Sequence, residues 1–164
     1  MNKIGFTSSG RGRYYCDVYY QQYFPEAFVR RVRGAEMFDQ RSCVSEFIAS
    51  CQLDDNTGGV FPALEESLCY LDDIVKSDSF VIVISDAQSL FRETPESLVT
   101  FLVLLGNVVE WWSRPVEGNP PYDREGKSFR FIFEVPDSKD YLKRIQQSLQ
   151  RAEVILSPIE GSVT

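Results

Sequence analysis

Histidine is absent from the 164 residues. That removes the commonest zinc ligand, the usual general base and every histidine-based triad. The four cysteines, Cys16, Cys43, Cys51 and Cys69, contain no C-x-x-C pair. Cys43 and Cys51 fall near apolar helical positions, and reduced thiols are favoured over disulfides. There is no G-x-G-x-x-G, no phosphate-cradling G-x-x-x-x-G-K-[ST] and no H-E-x-x-H, so nucleotide and zinc-hydrolase readings lack their motifs. No apolar run approaches the roughly 20 residues that span a bilayer. The start, MNKIGFTSSGRGRYYC, has no apolar segment of the secretory kind. These absences leave enzymatic activity as the weakest reading, imply no cofactor and no metal, and point to a soluble cytoplasmic protein.

What is present is ordinary in amount and uneven in placement. Apolar residues make up 43% and charged residues 25% of the chain, enough for one domain with a real core. The net charge is −7. Residues 1–34 nonetheless hold Lys3, Arg11, Arg13, Arg30, Arg31 and Arg33 against Asp17 and Glu26. Residues 54–96 hold ten acids, from Asp54 and Asp55 to Glu96, against Lys76 and Arg92. An acidic field of this kind disfavours nucleic acid and steers in a basic partner; its other reading is solubility alone. The N-terminal mixture of arginine and tyrosine admits RNA stacking, but packing of the tyrosines on the domain is favoured.

Periodicity gives the order of elements. AFVRRVRG, residues 27–34, reads as a strand, and DVYYQQYF before it as either a short helix or an edge strand. Val44, Phe47, Ile48 and Cys51 make an amphipathic helical stripe, and DDNTGG breaks it. Pro62 suits a first helical turn, followed by the stripe Leu64, Leu68, Leu71 and Val75. SFVIVIS, residues 79–85, is a strand covered on both faces. Thr94-Pro95 offers an N-cap and first position for a long apolar helix ending in Trp111-Trp112. Phe129, Phe131, Phe133 and Val135 alternate in a further strand, and Leu142, Ile145, Leu149 and Ala152 give the face of a last helix. Strands separated by helices predict an α/β fold with a small parallel sheet.

The helix after Gly58-Gly59 carries the most unusual charge. Glu65 and Glu66 read as first-turn acids that complement the helix dipole, worth about 0.3–1 kcal/mol each. Asp72 and Asp73 fall near the far end, where the dipole disfavours them. Adjacent acids point about 100° apart on a helix, so neither pair converges on a metal or a catalytic dyad. Pro62, Glu66, Cys69, Tyr70 and Asp73 share the face opposite Leu64, Leu68 and Leu71. An aromatic flanked by carboxylates on an outward face fits contact with a basic partner, and a solvated face is the competing reading.

The blocks GGVFPALEESLCYLDDI, SFVIVISDAQSLF, LVTFLVLLGNVVEWW and FRFIFEV resemble barstar-like proteins, intracellular inhibitors of barnase-type ribonucleases. FVRRVRGAEMFDQRSCVSEFIASC is similar to that family's first strand, glycine turn and first helix. The resemblance implies a barstar-like domain over residues 28–135, a three-stranded parallel sheet packed by helices. Residues 1–27 form an N-terminal extension and residues 136–164 a helical C-terminal one. It also implies an immunity protein whose acidic loop and helix occupy a nuclease's phosphate site, with no nucleic-acid or membrane contact of its own. Taken with the acidic field and the outward helix face, it gives as candidate partner-binding residues Asp54, Asp55, Gly58, Gly59, Val60, Phe61, Pro62, Glu65, Glu66, Cys69, Tyr70, Asp73 and Asn107. Glu66 matches the family's principal phosphate-mimicking aspartate. Pro62 and Asn107 stand at two further acidic positions, Glu65 at an aromatic one, and Gly58-Gly59-Val60 in place of a glycine–acid–asparagine loop. The implied target is therefore a nuclease other than barnase, and a non-nuclease partner is the alternative.

Overall fold

The computed structural model describes residues 3–8, 20–54, 58–118, 120, 121 and 123–135, together with Lys143, Gln147, Ser148 and Gln150. Asp55, Cys16 and the apolar face expected for the last helix lie outside the described residues. Lys143, Gln147, Ser148 and Gln150 are helical.

Four strands, β1 (Lys3–Ser8), β2 (Phe28–Arg33), β3 (Ser79–Ser85) and β4 (Ser128–Val135), form one sheet in the order β1-β4-β3-β2. Every neighbouring pair is parallel. The expected three-stranded parallel sheet is β2-β3-β4. β1 adds a fourth strand on the far edge of β4, with Lys3 opposite Arg130 and Ser8 opposite Val135. Its local signal is only Ile4 and Phe6 among glycine, serine and threonine. A six-residue strand that gains its partner more than 100 positions away carries little local mark.

The helices are α1 (Gln40–Cys51), α2 (Phe61–Cys69), α3 (Leu71–Ile74) and α4 (Ser97–Ser113). α1 opens on a capping box, Asp39 accepting from the Ser42 backbone N–H while the Ser42 hydroxyl accepts from that of Asp39. Of its expected stripe, Val44, Phe47 and Cys51 are fully buried, joined by Cys43, and Ile48 is partly buried against them. α4 begins two residues later than the sequence implied. Thr94 does not cap it with its side chain; a turn with Ser97 N–H bonded to Thr94 O and Leu98 N–H to Pro95 O comes first.

One face of the sheet supports the main core. Phe129 stacks on Phe80 and Trp112 there, and Phe47, Phe61, Phe91 and Phe101 form an adjoining, mostly edge-to-face cluster with centroids 5.3–6.0 Å apart. The second face is also covered. Val81, Val83 and Ile132 pack with Tyr20, Ala27, Phe24 and Val29, so the double-sided burial read from SFVIVIS holds. Residues 20–23 are helical, so the described part of that stretch follows the helical reading, and Tyr20 packs on the domain as expected. Arg31 of β2 and Glu134 of β4 form an ion pair on this face.

Two further charges are structural. Glu46 of α1, only 5% exposed, accepts from the backbone N–H, Nε and Nη2 of Arg33 at 2.8–2.9 Å and from the Ser50 hydroxyl at 3.1 Å. Burial pushes the Glu46 carboxyl up, but the hydrogen bonds and charge of Arg33 outweigh it and hold the group below its ordinary range. Cys43 and Cys51 are buried free thiols, as expected, with burial raising both and carrying Cys51 to about 12.

Candidate functional site

The acidic helix is aimed by the loop before it and pinned by the aromatic core beneath it. Gly58 and Gly59 have φ of +57° and +73°, a left-handed pair that side-chain-bearing residues adopt at a cost. Gln40 of α1 donates to the Gly59 carbonyl at 3.3 Å and fixes the loop against the body. Phe61 and Pro62 then open α2, with proline in the first turn as predicted. Phe61, 4% exposed, anchors the helix in the core and forms the inner lining of the groove.

The continuous helix expected through Val75 is broken. α2 ends at Cys69, Tyr70 has φ −110° and ψ 25°, and a separate short turn, α3, follows. No glycine or proline marks the break; the stabilisation comes from α4. The last carbonyls of a helix lack intrahelical donors, and here two indoles supply them. Trp112 Nε1–H donates to Leu68 O at 2.9 Å, and Trp111 Nε1–H to Cys69 O at 3.0 Å.

The break corrects the expected face. Asp73 lies on α3, out of phase with Glu66 and Tyr70, and is exposed. Asp72 and Asp73 open a helical turn instead of closing a long helix, so the dipole objection to them disappears. Asp72 also has cationic neighbours: Lys127 Nζ stands 3.7 Å from its carboxylate, and Lys76 Nζ donates to its carbonyl at 2.7 Å. Glu65 and Glu66 shift role as well. With α2 starting at Phe61 they lie beyond the first turn and do not serve the dipole. Glu65 instead accepts at both carboxylate oxygens from Asn107 Nδ2 of α4, at 3.3 Å.

Side chains on α2 and at its C-terminal cap, Pro62, Glu65/Glu66, Cys69 and Tyr70, face a row on α4, Thr100, Val103/Leu104 and Trp111. Between them runs a groove of about 440 Å³, within the range of sites that take several side chains or a small ligand. Tyr70 is 48% and Trp111 39% exposed, their ring centroids 6.0 Å apart. Glu66 is exposed on the rim. Cys69 sits between, partly buried; desolvation first, and then the Glu65 charge, push its thiol up to about 12.

Of the residues singled out from sequence, Pro62, Glu65, Glu66, Cys69 and Tyr70 line this one groove, with Phe61 below them and Asn107 bonded to Glu65. Asp54, Gly58 and Val60 are exposed in the preceding loop, and Gly59 is partly covered by Arg41. Val103 and Trp111, which also line the groove, are not singled out by sequence, because they fall in a helix that reads as apolar along its length. The available signal was the spacing of Thr100, Val103, Asn107 and Trp111, a second stripe off the buried one. Among the described residues no three cysteine, aspartate or glutamate side chains converge on a metal site, and no helix is long and apolar enough to cross a membrane.

Comparison with known proteins returns one family. The model of the family Barstar (barnase inhibitor) matches residues 27–134. No curated protein matches the chain. Among solved structures, a chain in the structure of Drosophila ORC bound to AT-rich DNA and Cdc6 superposes with a TM-score of 0.49 at 7% identity. That match covers 96% of this chain and 48% of the other, so this chain spans about half the length of the solved one, and so low a score carries no weight for fold or function. The family match spans most of the sheet and all four helices described above, including the whole groove. This chain belongs to the barstar family of barnase inhibitors.

Proposed function

We propose that this chain is a cytoplasmic inhibitor, an immunity protein, that binds a basic ribonuclease or related nuclease toxin and blocks its active site. Family membership supports the inhibitor class and a non-enzymatic role. The observation that carries the assignment of the surface is the exposed carboxylate of Glu66 on α2, beside Tyr70 and the acidic loop at Asp54. Cationic groups that hold an RNA phosphate will hold a carboxylate fixed on a rigid helix, and the net charge of −7 speeds their encounter. Phe61 and the two indole bonds preorganise α2, which lowers the ordering cost of binding. Co-expression with candidate nucleases tests the proposal: an inhibitor restores growth, and a chain without this function does not.

A second reading has one specific observation in its favour. Glu65 is engaged by Asn107 and Pro62 carries no charge, so the outward acidic set on α2 reduces to Glu66. A barstar-fold interaction module for a non-nuclease partner would tolerate that reduction. It would bind protein without rescuing growth from any nuclease.

A further inference from the structure

Three of the six large hydrophobic side chains left exposed among the described residues, Tyr70, Val103 and Trp111, line the groove between α2 and α4. Phosphate mimicry by Glu66 leaves this apolar slot without an assigned occupant. Glu65 and Glu66 also line it, which makes the site repel anionic lipid and nucleic acid. The two features together select one kind of occupant. We propose that the α2–α4 groove is a subsite for an apolar side chain flanked by basic residues on a loop of the partner protein, with Trp111 and Val103 as its wall and Glu66 as its charged rim. This deepens the assignment of the surface above and rests on it. The recognition is double: the apolar wall rewards burial of an aliphatic side chain, and the rim excludes acidic flanks.

Trp111 is held by its bond to Cys69 O and by its ring contact with Tyr70, so the wall stands ready before binding. Val103 has neither role, and changing it tests the subsite without disturbing the α2 end. The probes are three capped tripeptides, Arg-Leu-Arg, Arg-Gly-Arg and Glu-Leu-Glu, titrated into the full chain up to about 20 mM. The readout is the Trp111 indole N–H resonance, identified as the one lost in Trp111→Phe. Arg-Leu-Arg should move it saturably and bind about five-fold more tightly than Arg-Gly-Arg, with no response to Glu-Leu-Glu. Val103→Ser should cut that preference below about two-fold, and Glu66→Gln should weaken both basic peptides alike. Equal binding of the leucine and glycine peptides, or no shift with either, overturns the subsite. So does a concentration-dependent dimer abolished by Val103→Glu, which would give the groove to a second copy of the chain. The two proposals fail separately: nuclease rescue without peptide discrimination removes the subsite alone, and discrimination without rescue removes the nuclease assignment alone.

Discussion

Asn107 of α4 donates its side-chain amide to both carboxylate oxygens of Glu65 on α2, at 3.3 Å, and so ties the two helices together. The bond is exposed, so its loss costs little: Asn107→Ala should change stability by less than about 0.5 kcal/mol. Asn107→Asp keeps the shape but sets two carboxylates against each other. It should destabilise by up to about 1 kcal/mol at low salt and recover in about 0.5 M NaCl, as read by urea unfolding. A salt-independent effect would contradict this pairing.

The two tryptophans make different contributions to the same helix end. Trp112 is fully buried, and its indole also supplies the donor to Leu68 O. Trp112→Phe should therefore cost about 2–3 kcal/mol, from lost packing and an orphaned carbonyl. Trp111→Phe removes an exposed bond and should cost less than about 1 kcal/mol. Chemical denaturation of the two variants checks the order; a larger loss for Trp111→Phe would contradict it.

Acid should unfold the chain through Glu46 and Asp39. Glu46 is held below its ordinary value of 4.5 despite burial, by Arg33, and Asp39 below 3.8 chiefly by the Ser42 backbone N–H and hydroxyl. A carboxyl whose folded value is depressed stabilises fully above its unfolded value and loses that stabilisation as pH falls through the folded one. Stability should thus be flat from about pH 7 to pH 5 and decline below about pH 4.5. Glu46→Gln should lower the plateau by about 1–2 kcal/mol and shallow the acid decline. Unfolding free energy measured against pH in both proteins decides it.

Cys69 lines the groove but should be a poor nucleophile. Desolvation and Glu65 carry its thiol to about 12 from an ordinary 9.0, so its thiolate fraction at about pH 8 falls roughly a thousandfold. Site-resolved mass spectrometry after iodoacetamide treatment should find it alkylated at least about a hundred times more slowly than a free peptide thiol. Glu65→Gln should speed the reaction modestly, because burial is the larger cause.

The parts of this fold that were legible in sequence are those whose cause is local. Leu64 and Leu68 repeat at helical spacing because α2 lies on the core, and Val81 to Ile84 run on unbroken because both faces of β3 are covered. Glu66 and Tyr70 could be placed on one face because α2 persists up to Cys69. Asp73 could not, since the phase is lost at Tyr70 and the stabilising indoles come from residues more than 40 positions later. β1 escaped for the same reason: its partner, β4, is remote in sequence. Trp111 was hidden by company, an outward residue in a helix apolar enough to pass as wholly buried.

Calorimetric titration of a cognate basic nuclease with the full chain and with Glu66→Ala and Tyr70→Ala tests the central claim most directly. Each variant should weaken the complex by more than about 1 kcal/mol, roughly five-fold or more, while unfolding as the parent does. Unchanged affinity in both variants would contradict the assigned surface.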